Sequence, residues 1–170
     1  MKTARWIAAT LCLGLAGPLF AAPAAAGKSP ALMTGTVSLV NDGDSLVLNL
    51  PDKPPMTVRL RDIDAPEICQ VYGVEARQAL AALALNQPAT LKPAGRDEQG
   101  RTMGRVTVAG VDLSLRLVEE GHAWSTRTKW DQGPLVKQER MARSLGRGLH
   151  AQGGAVMPRD FRRAHGPCAR

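Results

Sequence analysis

Val58-Arg59-Leu60-Arg61-Asp62-Ile63-Asp64-Ala65-Pro66-Glu67 brings together an arginine (Arg59), a carboxylate suited to metal ligation (Asp64) and a carboxylate suited to general-base work (Glu67). Val58 and Leu60 alternate with Arg59 and Arg61, the period of a half-buried strand. Pro66 has no N–H to give a ladder, so the strand is expected to break near Asp64. A strand end running into a loop is where a rigid scaffold commonly presents functional groups. A strand with outward charges before a proline turn is, equally, a common surface feature.

Upstream, Asn41-Asp42-Gly43-Asp44-Ser45 lies between the apolar runs Thr36-Val37-Ser38-Leu39-Val40 and Leu46-Val47-Leu48-Asn49-Leu50. Asp-Gly between such runs is a hairpin signal and accounts for Asp42 and Gly43. It leaves Asp44 unexplained. Further on stand Asp97-Glu98-Gln99-Gly100-Arg101 and Gly121-His122-Ala123-Trp124.

In order and spacing these four motifs, covering roughly Val37 to Leu149, resemble the thermonuclease, or staphylococcal nuclease-like, family of calcium-dependent nucleases. The resemblance implies that Asp44, Asp64 and the Ala65 carbonyl hold Ca²⁺, with Asp42 acting through water. It implies that Arg59 and Arg101 grip the scissile phosphate and that Glu67 is the base or the group that orients the attacking water. These chemistries suit the residue types: calcium takes oxygen ligands, and a guanidinium donates two parallel hydrogen bonds to phosphate and stays charged. DNA or RNA is the implied substrate, with 3′-phosphate products. The alternative is an OB module that binds nucleic acid with little or no catalysis.

Some positions depart from the family pattern. Ser45 and Ala65 stand where the best-studied member of that family has threonines, and Glu98-Gln99 replace its lysine-tyrosine pair. Arg127 and Lys129 fall near the places of two stacking tyrosines and, with Tyr72, are the candidate nucleic-acid contacts. Trp130 offers another stacking face, whereas Trp124 reads as core. His122, His150 and His165 have no metal-ligand spacing with the cysteines, so no zinc site is expected.

Met1-Lys2-Thr3-Ala4-Arg5, the apolar run Trp6 to Phe20 and the small residues to Gly27 have the layout of a secretory signal peptide over residues 1–26, with Ala24-Ala25-Ala26 as a cleavage site. The apolar run falls short of the roughly 20 residues needed to span a bilayer. A periplasmic or secreted protein without stable membrane association is expected, monomeric in the simplest reading. Residues 27–170 are long enough for one domain with one core. The formal charge of +7 becomes +5 without Lys2 and Arg5, a balance that suits a polyanionic partner but also plain solubility. In an oxidising compartment the remaining Cys69 and Cys168 read as one disulfide.

Strands are expected at Thr34–Val40, Ser45–Leu50, Met56–Arg61, Ala89–Lys92 and Gly104–Val108. Helices are expected at Gly73–Leu85, at Leu113–Glu120 behind an Asp112 cap, and from Pro134 to Gly146. The fold class is α+β, mainly β: a five-stranded OB-type barrel with about three helices, an architecture the family resemblance also implies. From about Gly153 the tail reads as basic and irregular.

Overall fold

The computed structural model describes residues 31–151 and 154–168. The expected signal segment, residues 1–26, lies outside them. Chain order gives β1 (Met33–Val40), β2 (Ser45–Asn49), β3 (Met56–Leu60), β4 (Ile63–Asp64), α1 (Gly73–Ala84), β5 (Pro88–Arg96) and β6 (Thr102–Val108). Then come β7 (Val111–Asp112), α2 (Leu113–Glu119), β8 (Trp124–Ser125), α3 (Val136–Ser144), a 3-10 turn at Gly148–His150, and α4 (Pro158–His165).

Alternation along the strands builds a closed barrel. The order β3-β2-β1-β5-β6 is joined end to end by a parallel β3–β6 pairing at Val58↔Thr102 and Leu60↔Gly104. Val37, Leu46, Leu48, Val58, Leu60, Leu91 and Val106 point inward and are buried. Their removal from water supplies the main drive to close, at about 25 cal/mol per Å² of apolar surface. Gly104 sits where β6 passes β5 too closely for a side chain: a Cβ there would meet the Lys92 carbonyl at 2.8 Å. Pro93, which has no N–H, adjoins an irregularity in the β5–β6 register between Pro93 and Gly95.

The helices close one side of this core. Ala76, Leu80 and Ala84 of α1, and Leu113, Leu117 and Val118 of α2, are buried against it. Asp112 caps α2 as expected, its Oδ1 accepting from the N–H groups of Ser114 and Leu115 at 2.9 and 3.3 Å.

Several features differ from the sequence expectation: α3 starts at Val136 rather than at Pro134, and β5 runs from Pro88 to Arg96 rather than from Ala89 to Lys92. The strand ends at Leu60 rather than near Asp64, because Asp62 takes a left-handed conformation (φ 71°); Asp64 belongs to a separate short strand that pairs with β8 at Asp64↔Trp124. The tail is not irregular: Pro158 opens α4 at a first helical position, where a missing N–H costs nothing, and Gly166 follows its last turn. Among the described residues no helix is long and apolar enough to cross a membrane.

Candidate active site

Two carboxylates, Asp44 and Asp64, meet one guanidinium where β2 begins and β3 and β4 end, with Asp42 close by. Arg59 of β3 lies opposite Ser45 of β2, which carries it beside the Asp42–Asp44 turn. Its Nη2 stands 2.9 Å from both Asp44 Oδ2 and Asp64 Oδ1. Asp44 Oδ2 also accepts the Ala65 N–H at 3.1 Å, which ties the turn to the Asp64-Ala65 backbone, and Asp42 Oδ1 accepts the Asp44 N–H at 3.0 Å. Gly43 permits this approach, since a Cβ there would lie 2.6 Å from Ala65 Cβ and 2.8 Å from Ala76 Cβ.

The cluster is short of positive charge. Burial pushes the Asp44 carboxyl up to about 8, the charges of Asp42 and Asp64 add to the rise, and Arg59 pulls against it. Burial works against the Arg59 charge too, but Asp44, Asp64 and Asp42 outweigh it and raise its pKa above the ordinary arginine value. In metal-free protein, Asp44 therefore holds when folded a proton that it releases when unfolded, between its ordinary 3.8 and about 8. That contribution to stability is complete at acid pH and is lost as pH rises through the window. Chelated protein is expected to lose stability between pH 5 and pH 8, by at most about 1.4 kcal/mol per pH unit from this group. Asp44→Asn should flatten the slope, and denaturant titrations at the two pH values read both effects.

The facing wall comes from the β5–β6 connection. Asp97 accepts the Gln99 and Arg101 N–H groups at 3.0 and 2.9 Å on Oδ1 and the Arg101 Nε at 2.6 Å on Oδ2. The slight burial of Asp97 works the other way, but its bonds to Arg101 lower its pKa. Only Nε of Arg101 is thereby engaged, and the terminal nitrogens have no hydrogen-bond acceptor among the described residues. Between the walls runs a cleft of about 1350 Å³ lined by Asp42, Asp44, Arg59, Ala65, Glu67 and Arg101, with Glu98 and Gln99 at the same wall. A smaller depression of about 380 Å³ at Thr34, Pro88 and Thr107 presents no ionisable side chain.

Six of the seven residues assigned to catalysis or metal line one cleft, and the seventh, Asp64, is ion-paired to Arg59 of its lining. The three nucleic-acid candidates do not line it. The Tyr72 hydroxyl pairs with His122 Nδ1 at 2.9 Å and their rings stack. Arg127 forms an ion pair with the buried Glu139. Lys129 remains near the surface with its Nζ 4.7 Å from the exposed Trp130 ring. Trp124 is core, as expected, at 3% exposure, with His150 edge-on to it. Cys69 and Cys168 are joined as a disulfide.

Sequence reading missed Arg162. Its Nη1 is 2.5 Å from Glu67 Oε1, and Nη2 is 3.4 Å from Asp64 Oδ2. The signal was available in Arg159–Arg163, a basic run before a cysteine already expected to return to Cys69.

Among the described residues no three His, Cys, Asp or Glu side chains form a ready metal cage. The donors that do converge are hard oxygens, and one cationic nitrogen already fits between Asp44 and Asp64. Two carboxylates with an adjacent main chain suit a hard cation that keeps water and a substrate oxygen as its other ligands.

A closed OB-type barrel whose cleft holds aspartates beside arginines is suited to chemistry on phosphodiesters. The chain belongs to the staphylococcal nuclease homologues, whose family model matches residues 57–152. It is 35% identical over 143 residues to Protein ParB of Escherichia coli, covering 77% of this chain and 80% of that one. It is 33% identical over 141 residues to a micrococcal nuclease of Shigella flexneri, covering 76% and 80%. An uncharacterized endonuclease of Haemophilus influenzae is 30% identical over 131 residues, covering 76% and 73%.

Proposed function

We propose that this nuclease is exported, depends on Ca²⁺, and hydrolyses DNA and/or RNA to 3′-phosphate ends. The observation that carries the reading is the single Arg59 nitrogen shared by Asp44 and Asp64 beside a cleft that Arg101 also lines. Asp44, Asp64 and the Ala65 carbonyl would hold Ca²⁺, which supplies Lewis-acid polarisation of the phosphoryl oxygen and activation of water. Asp42 orients Asp44 through its main-chain N–H. Arg59 and Arg101 bind the non-bridging oxygens and hold them more tightly as charge builds in the transition state. Glu67 orients the water and accepts its proton. A new oxygen–phosphorus bond forms, the bond from phosphorus to the 5′-oxygen breaks, and the departing oxygen takes its proton from solvent water.

Export rests on the composition of residues 1–26 and is consistent with the Cys69–Cys168 disulfide. Lys129, beside the exposed Trp130, offers charge and a stacking face to nucleic acid outside the cleft. Tyr72 and Arg127 are already paired within the protein, so their contribution to affinity is expected to be small.

Digestion of DNA and RNA in gels, with Ca²⁺ or with chelator, tests this function. Clearing only with Ca²⁺, and fragments whose 5′ ends accept a kinase label without prior dephosphorylation, are expected. DNA that is retarded but uncut would replace the nuclease with the binding module. Clearing that persists in chelator would remove the calcium assignment.

A further inference from the structure

We propose that Arg162 is a positioning residue of this cleft: the Cys69–Cys168 disulfide holds α4 so that the Arg162 guanidinium fixes the Glu67 carboxylate beside Asp64. The catalytic consequence rests on the nuclease reading above; the contact itself does not.

The loop that follows Glu67 and the C-terminal segment are built as one unit. Gln70 is buried, its Oε1 accepts the Glu67 N–H at 3.2 Å, and its Nε2 donates to the Val156 carbonyl at 2.5 Å. The chain entering α4 is therefore fastened to the same side chain that fastens Glu67. At the other end of α4, Cys168 is bonded to Cys69, and the Cys69 N–H approaches Cys168 Sγ at 3.1 Å. Two attachments bracket the helix, and Arg162 lies between them.

From there Arg162 reaches two carboxylates with different duties. Nη1 donates to Glu67 Oε1 at 2.5 Å, and Nη1 and Nη2 each stand 3.4 Å from an Asp64 oxygen. Burial works against the Arg162 charge, but the hydrogen bond to Glu67 and the charge of Asp64 more than offset it. A planar guanidinium can span both carboxylates and set the angle between them, which a lysine ammonium cannot do as well. Glu67 follows Pro66 in a loop outside any strand or helix, so its support comes from Gln70 at the main chain and Arg162 at the carboxylate. With 35% of its side chain exposed, Arg162 makes a pair whose share of global stability is small but readable as a non-additive shift in a double-mutant cycle. Its larger effect belongs in turnover.

The test compares Arg162→Gln, Arg162→Lys, a Cys69→Ser/Cys168→Ser double variant, and the combination of Arg162→Gln with that double variant. DNA cleavage is measured at saturating Ca²⁺, below the melting temperature of every variant. Removing a group that orients a catalytic residue typically costs about 10–100-fold. Arg162→Gln is expected to lower kcat by about tenfold or more while KM stays within about twofold, with millimolar guanidinium ion or Arg162→Lys restoring part of the loss. The disulfide variant should show a comparable fall, and adding Arg162→Gln to it should lower kcat little further.

An unchanged or increased kcat in Arg162→Gln overturns the proposal, the increase by showing that Arg162 obstructs the cleft. Losses that multiply when the disulfide and Arg162 changes are combined overturn the role of the clasp. A melting-temperature cycle with Glu67→Gln, Arg162→Gln and both together reads the contact without reference to cleavage. Non-additive shifts support it and additive shifts overturn it, so the outcome stands even if the wild-type chain cuts nothing.

Discussion

Arg59→Ala is expected to lower kcat on DNA by about 10²–10³-fold, the loss seen when one preorganised donor to a developing oxyanion is removed. The protein should still fold, because the neighbouring core residues Val58 and Leu60 are fully buried and untouched. The change removes the cation that stands 2.9 Å from both Asp44 and Asp64, so two near-buried carboxylates lose their common partner. Burial already raises the Asp44 pKa; without Arg59, its protonated form is favoured further. Arg59→Lys should rescue poorly, since an ammonium cannot present two parallel donors to a phosphate. Steady-state cleavage beside a thermal melt separates the two effects. Near-wild-type kcat in a folded Arg59→Ala protein would remove Arg59 from the phosphate grip.

The second large effect concerns stability. Glu139 of α3 is only 3% exposed, accepts the Ser125 N–H at 3.0 Å, pairs with Arg143 at 3.0 Å and forms a further short ion pair with Arg127. Glu139→Ala strands a buried N–H and leaves the Arg127 guanidinium without its acid, at a cost of about 3–5 kcal/mol. Chemical denaturation reads it directly. Ser125 is also the β8 partner of Ile63, so Glu139 indirectly supports the strand that presents Asp64. Arg127→Ala should accordingly affect stability more than nucleic-acid affinity.

Much of the barrel could be read from the chain because its signals are local. Val58 and Leu60 alternate with polar residues, Asp-Gly marks the β1–β2 turn, and Asp112 with Gly121 brackets α2. The convergence of Asp44, Arg59 and Asp64 was legible only through the order of the motifs. No propensity reports that the strand ends bearing them adjoin, since that follows from the β2–β3 pairing and the Ala65 to Asp44 hydrogen bond.

The misses have the same origin. Asp62 breaks the strand early by adopting φ 71°, which any Asp can do and few declare. α4 carried a readable start and stop in Pro158 and Gly166, with Asp160 in its first turn and Arg162, Arg163 and His165 in its last, but its basic composition resembled a solvated tail. The partner of Arg162 is 95 residues away, so only the fold and the disulfide could show it. Arg127 was a candidate nucleic-acid contact by position, and its acid on α3 is likewise a tertiary fact.

The most direct measurement of the central claim is the single-turnover rate at which the purified chain cuts a defined DNA oligonucleotide with Ca²⁺, wild type beside Asp44→Asn. The account predicts cleavage that chelator stops, and loss of nearly all of that rate in a folded Asp44→Asn protein. Equal rates in the two proteins, or cleavage indifferent to chelator, would contradict it.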